Sequence, residues 1–333
     1  MATRITSWIT RPTTNRAVPN PTANLDEVLE AILNPSQLLS LSATAVKVAG
    51  VSTQPDCLPS ALGALIASDP SFSAALLRTV NSARNGPGRA VSSVERAVLV
   101  VGLNKVRALA LSLSLPPIHP LNRNHPAALE HSRSSISGAI IARELAVRRG
   151  YPAPDDDLHA ALLRDIGVLL IQQTYPAAWA ELSARTSDPL GADACARERN
   201  VFGTDHAEVG AEVLRRWGLH DDMVEPIRYH HHPERLAGTP HAVRAELLWF
   251  AGLLTRLEFV IEHPAALDFI LFTAAKQFSL SAGALVDFLD VVRPKISAFA
   301  ETLDREIGLC PDYASLLTTA SAELSRLSVG ARQ

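Results

Sequence analysis

The chain has few cysteines, few aromatic residues, no large charge of either sign and no long uninterrupted apolar run. Each shortage narrows the field. Its three cysteines, Cys57, Cys195 and Cys310, are odd in number and far apart among 333 residues. None forms a CxxC pair, so neither a disulfide framework nor a cysteine zinc site is indicated, and a reducing cytoplasm is the expected setting. A formal net charge of -3 provides no global basic field for nucleic acid or an anionic membrane. The most apolar windows, Ala97–Leu115 and Ala245–Ile261, are interrupted by Asn104, Lys105 and Arg107 and by Arg256 and Glu258. A membrane-spanning helix needs about 20 mostly uncharged residues, so both windows read as core helices. The first 24 residues carry arginines, threonines and prolines without a continuous apolar stretch, which speaks against a secretory signal.

What is present is helix. Hydrophobic residues make up 47% and charged residues 20%, enough apolar content for a globular core. From Leu25 onward alanine and leucine recur at helical spacing, and aromatic residues are only 5%, so an all-α fold is predicted. Helix starts are marked by capping boxes at Ser92-Ser93-Val94-Glu95 and Asp205-His206-Ala207-Glu208. The proline-rich segment 116–126 is the expected internal linker. The division that follows is a tail over 1–23, an N-terminal helical lobe over 24–117, a second helical lobe over 118–240 and a C-terminal helical extension over 241–333.

One stretch stands out: Leu158 to Ile171, LHAALLRDIGVLLI, which reads as a single helix. It carries Arg164-Asp165 inside an apolar run, and charges so placed are paired, ligating something or lining a cleft. Histidines flank it in sequence at His131, at His206 and in the run His230-His231-His232. Imidazole and carboxylate from neighbouring helices are ligands for a divalent ion that keeps a position open for water, the chemistry of metal-assisted phosphodiester hydrolysis. The acidic triplet Asp155-Asp156-Asp157 reads as a solvated cap at the positive end of this helix rather than as a metal site. Arg148-Arg149 and Arg215-Arg216 read as solvated helix ends or faces.

From about Pro35 to Glu234 the chain resembles the HDOD domain, the signalling relative of the HD and HD-GYP metal phosphohydrolases. The resemblance is carried by LIASDPSFSAALLRTVNSARNG and VSSVERAVLVVGLNKVRALAL in the first half. HSRSS, ALLRDIG, DHAEVGAEVLRRWGL and IRYHHHPE carry it in the second. It implies a helical N-terminal lobe packed on an HD-like helical lobe. His131 matches the first metal histidine of active HD proteins, and Asp165 matches the aspartate of their His-Asp dyad. Arg164 stands where the dyad's histidine belongs, and a guanidinium has no lone pair to give. A unit positive charge about 4 Å from a dication is disfavoured by roughly 8 kcal/mol at an effective dielectric of about 20. His206, His230 and His231 resemble the histidines that serve a second metal in HD-GYP enzymes. The last aspartate of the pattern has no equivalent, Gly252 standing about where it would fall, and the Gly-Tyr-Pro signature is absent.

Two roles stay open for these residues: a buried hydrogen-bonded network, or a reduced pocket that takes one ion or a phosphate-bearing ligand. In the first of these Arg164 can bridge the Asp165 carboxylate, but adjacent residues of an ideal helix do not share a face, so a partner elsewhere stays open too. Asn81-Ser82 matches the family's NSA motif and reads as structural. The resemblance implies a bacterial, cytoplasmic regulatory protein without enzymatic activity. No cofactor is expected, or at most one divalent metal ion held through His131 and Asp165. The expected partners are signalling proteins acting in trans, with a homodimer through the last helices as an option, and neither nucleic acid nor membrane. The rival is a divalent-metal phosphohydrolase with an unusual ligand set.

Overall fold

In the computed structural model the described residues are 25–33, 58–67, 93–102, 126–183, 193–216, 219–260, 262–302 and 310–319, with isolated positions between them. Among them there are helices and no strand. In chain order they are α1 (Leu25–Ile32), α2 (Pro59–Ala67), α3 (Val94–Val101), α4 (Pro126–Arg148), α5 (Pro154–Leu163), α6 (Ile166–Thr174) and α7 (Pro176–Ser183). There follow α8 (Ala194–Phe202), α9 (His206–Arg216), α10 (Asp221–Arg228), a 3-10 turn Pro233–Leu236, α11 (Ala242–Thr255), α12 (Leu257–Val260), α13 (Pro264–Phe278) and α14 (Ala282–Thr302). The cap at Asp205 forms where the sequence puts it, and the cap at 92–95 falls on Ser93 with Arg96 rather than on a Ser92–Glu95 box. Ser93 Oγ accepts from the Arg96 amide at 3.2 Å, and Asp205 Oδ1 accepts from the Glu208 amide at 2.9 Å.

The long helix α4 is the post on which the larger core is hung. Ile136, Ile140 and Leu145 are buried along it, and α5, α11 and α14 pack around it. That core also takes in Val28, Leu29 and Ile32 of α1, which lies against α6 and α9, and runs on through α13 and α14. A smaller core gathers Leu62, Ile66, Leu76, Val80, Val94 and Val98 around the α2–α3 contact. The first helix therefore packs with the second lobe rather than with α2 and α3, and the last helices complete the same core. Asn81, Ser82 and the proline linker lie outside the described residues.

No single described helix is long and apolar enough to cross a membrane. By length and composition alone, α13 with the Ala282–Glu301 part of α14 passes that test as a pair bent by 87°. Leu267, Ile270, Leu285, Leu289 and Ile296 of this pair are buried in the protein's own core.

One member of the acidic triplet, Asp157, is withdrawn from solvent, while Asp155 and Asp156 stay partly exposed. Asp157 is fully buried, and its Oδ1 accepts from Arg244 Nε at 2.7 Å, while Asp155 pairs with Arg143 at 2.9 Å. Asp157 thus faces α11 from within the core, while Asp155 meets α4 with 40% of its side chain still exposed. Burial drives the Asp157 carboxyl up to about 6, against the opposing pull of Arg244. Its folded-state value thus lies above its unfolded one, so the stability it contributes is fully present below about pH 4 and is lost as pH rises through about 6. Urea unfolding from pH 4 to 7 is expected to show wild type losing on the order of 3 kcal/mol relative to Asp157→Asn. Parallel profiles for the two proteins would refute this.

Three arginines of the two pairs meet carboxylates while staying partly exposed. Arg149 meets Glu246 at 3.3 Å and lies over the Phe278 ring. Arg215 meets Glu225 at 2.5 Å, and Arg216 meets Glu212 at 3.2 Å.

Candidate functional site

The apolar run 158–171 does not form one helix. It breaks at Arg164-Asp165, where α5 ends and α6 begins, with Asp165 at φ -100 and ψ 20. The break turns the two neighbours toward the same point. Arg164 donates to Asp165 Oδ2 from Nε at 3.1 Å and from a terminal nitrogen at 2.7 Å. The arginine's partner is thus its neighbour after all, because the helical geometry that would have parted them is interrupted there. Its other terminal nitrogen donates to the Leu248 carbonyl at 3.1 Å, and only 5% of the side chain is exposed.

The guanidinium lies in a slot built from two glycines. A Cβ on Gly252 of α11 would stand 2.8 Å from one guanidinium nitrogen, and a Cβ on Gly138 of α4 would stand 3.5 Å from it. Gly252 is the position where the sequence pattern lacks its last aspartate. The absence of a side chain on Gly252 leaves the space on α11 that the Arg164 guanidinium fills from the α5–α6 break.

Beyond Asp165 three imidazoles converge. Asp165 Oδ1 is 3.5 Å from His230 Nε2 and 3.8 Å from His206 Nε2. His206 Nε2 is 3.4 Å from His230 Nε2 and 3.0 Å from His231 Nε2. The tautomers follow from the outer partners. His206 Nδ1 faces Glu198 Oε2 at 2.7 Å, and His230 Nδ1 faces the Ile227 carbonyl at 2.7 Å, so each Nδ1 carries a hydrogen. When neutral, both rings then point an Nε2 lone pair at the same small space. Burial disfavours charge on His206, but Glu198 first and then Asp165 and Asp205 override it and lift the ring to about 9. Burial lowers His230, and it lowers His231 well below the ordinary imidazole value with help from its two histidine neighbours. Asp165, though buried, is held well below the usual carboxylate range, chiefly by Arg164 and then by His230.

Of the residues singled out from sequence, Arg164, Asp165, His206, His230 and His231 come together. His131 does not join them. It is half-buried on α4 with Nε2 3.4 Å from Ser135 Oγ, and no group of converging donor atoms among the described residues includes it. Two residues escaped the sequence reading. Glu198 is 4% exposed and also accepts from the His206 backbone amide at 2.7 Å, fixing the start of α9. Cys195, buried one turn earlier on α8, lies with His206 and His231 in a group whose donor atoms are all within 4.8 Å of one another. The signal available was the spacing: Cys195 and Glu198 stand at i and i+3 on one face of the helix that leads into Asp205-His206.

A divalent ion in the manner of an HD phosphohydrolase does not fit here. The dyad position holds a guanidinium, the last carboxylate is a glycine under it, and the first histidine is turned to a serine. Asp165 keeps one oxygen toward His206 and His230, but its charge is already taken by Arg164.

The architecture is thus an HD-like helical lobe in which the Arg164–Asp165 ion pair lies beside a cluster of histidines. A sequence model of the HDOD domain matches residues 38–233, and the chain belongs to that family. A protein of Treponema pallidum is 28% identical over 193 residues, covering 56% of this chain and 35% of that protein. The chain thus spans about a third of that relative's length. Among solved structures, an HDOD domain protein of unknown function from Geobacter sulfurreducens superposes with a TM-score of 0.50 at 21% identity, covering 84% of this chain and 99% of that one. A candidate signal transduction protein from Marinobacter aquaeolei VT8 gives 0.51 at 22% identity over 92% and 63%. A candidate phosphohydrolase from Shewanella amazonensis SB2B gives 0.50 at 23% identity over 86% and 99%. At such identities these likenesses define the fold.

Proposed function

We propose that this chain is a non-enzymatic regulatory protein in which a former HD metal site has become a structural ion pair, and which acts through contacts with signalling proteins in trans. The observation that carries the reading is the Arg164 guanidinium, ion-paired with Asp165, bonded to the Leu248 carbonyl and seated against Gly252. A dication in the same pocket would face that fixed positive charge. Surface chemistry supports the second half of the reading. Arg149, Arg215 and Arg216 are engaged with carboxylates rather than free for phosphates. Phe259 on α12 and Phe269 and Phe272 on α13 are 46%, 41% and 63% exposed, apolar surface of the kind that protein partners cover.

The rival phosphohydrolase keeps one observation in its favour, the convergence of Asp165, His206 and His230. Turnover of an activated phosphodiester with manganese or ferrous iron separates the two. The expected result is no hydrolysis above the metal blank, in wild type and Asp165→Ala alike. Metal-dependent turnover that disappears in Asp165→Ala would establish the enzyme instead.

A further inference from the structure

We propose that Cys195, His206 and His231 form a zinc site distinct from the family's carboxylate–histidine position, with its fourth coordination place open to solvent. This rests on the reading that Arg164 has closed the older site. The three residues come from the first turn of α8, the first position of α9 and the turn after α10, so one ion would tie together three segments. A thiolate with two imidazoles suits zinc, and a site with three protein ligands leaves one position for water. Tetrahedral zinc holds its nitrogen and sulfur donors roughly 3.3–3.8 Å apart. His206 Nε2 and His231 Nε2 stand 3.0 Å apart, and Cys195 completes a group within 4.8 Å.

Two independent features prepare the site. Glu198 Oε2 holds the His206 Nδ1 hydrogen at 2.7 Å, the carboxylate–histidine arrangement that aims an Nε2 lone pair at a metal. On the outer side, Cys195 and His231 line a pocket with His232, Arg199, Arg228 and Arg235, through which an ion and its water can enter. Asp165 and Arg164 are not part of that lining. His206 is common to this group and to the Asp165 cluster, and Cys195 and His231 supply the other two donors.

The test uses the full chain prepared without chelator or affinity metal, titrated with zinc alone and, separately, with cobalt(II) alone. One zinc per chain is expected, with a thiolate-to-cobalt charge-transfer band and a thermal midpoint that rises on adding zinc. Cys195→Ser and His231→Gln should each lose the zinc-dependent rise, and Glu198→Gln should weaken zinc by about 10–100-fold. Asp165→Ala should leave zinc uptake intact. The cobalt band is read on wild type, so it decides thiolate ligation even if a variant folds poorly. No zinc uptake, or uptake without a thiolate band, overturns the zinc site and leaves the regulatory reading standing. Metal kept in Cys195→Ser and lost in Asp165→Ala overturns both.

Discussion

Replacing Arg164 by alanine is expected to destabilise the protein by about 3–5 kcal/mol, the range for breaking a buried ion pair from one side. The loss has three sources. Asp165 is left without the guanidinium that holds its charge, the Leu248 carbonyl loses its donor, and the slot over Gly252 and Gly138 is emptied. Replacing both partners should cost less than either single change, since Arg164→Met with Asp165→Leu leaves no orphaned charge. A urea-denaturation cycle over the four proteins reads this directly. Additive losses in the double variant would show that the pair is not coupled, and with it the account of the arginine as a substitute for metal would fail.

Gly167→Ala is expected to be as damaging, although alanine in a helix usually gains about 1 kcal/mol over glycine. A Cβ at Gly167 would sit 2.0 Å from the His206 carbonyl oxygen and 2.9 Å from the Gly210 amide nitrogen. Those are backbone atoms and cannot swing aside, so α6 and α9 must separate and carry His206 with them. A loss of about 3 kcal/mol or more is predicted, at the upper end of overpacking penalties. Gly283→Ala on α14 is the control, because nothing lies within 4 Å of its added Cβ. There the intrinsic helix preference should show as no loss or a small gain in urea midpoint. Equal behaviour of the two variants would contradict the close crossing of α6 and α9.

These two sites also mark where sequence reading succeeds and where it stops. Local signals that depend on a few adjacent residues were legible: the helix start at Asp205, the buried stripe Ile136, Ile140 and Leu145, and the all-helical class. The arginine at the dyad position and the glycine at the lost carboxylate were legible as departures from a pattern. That they fill one another's space was not, because it depends on two helices distant in sequence meeting at Arg164. The helix break was hidden for a related reason. The run 158–171 is apolar on both sides of the charges, so its periodicity continues across the break, and Gly167 reads as a helix-weakening residue. Its role is the close approach of α9, a tertiary fact. Asp157 misled because three acids at a helix start have the same local favour whether they meet water or Arg244. Cys195 was set aside for want of a second cysteine, yet its co-ligands are histidines from other helices.

The central claim is that Arg164 has taken the place of a catalytic metal. Manganese(II) tests it most directly, since this hard ion prefers carboxylate and imidazole sites and has little affinity for a thiolate. The full chain titrated with manganese and followed by paramagnetic resonance is predicted to leave the ion free in solution, with the same trace for Asp165→Ala. Uptake of one manganese per wild-type chain, abolished by Asp165→Ala, would contradict the account.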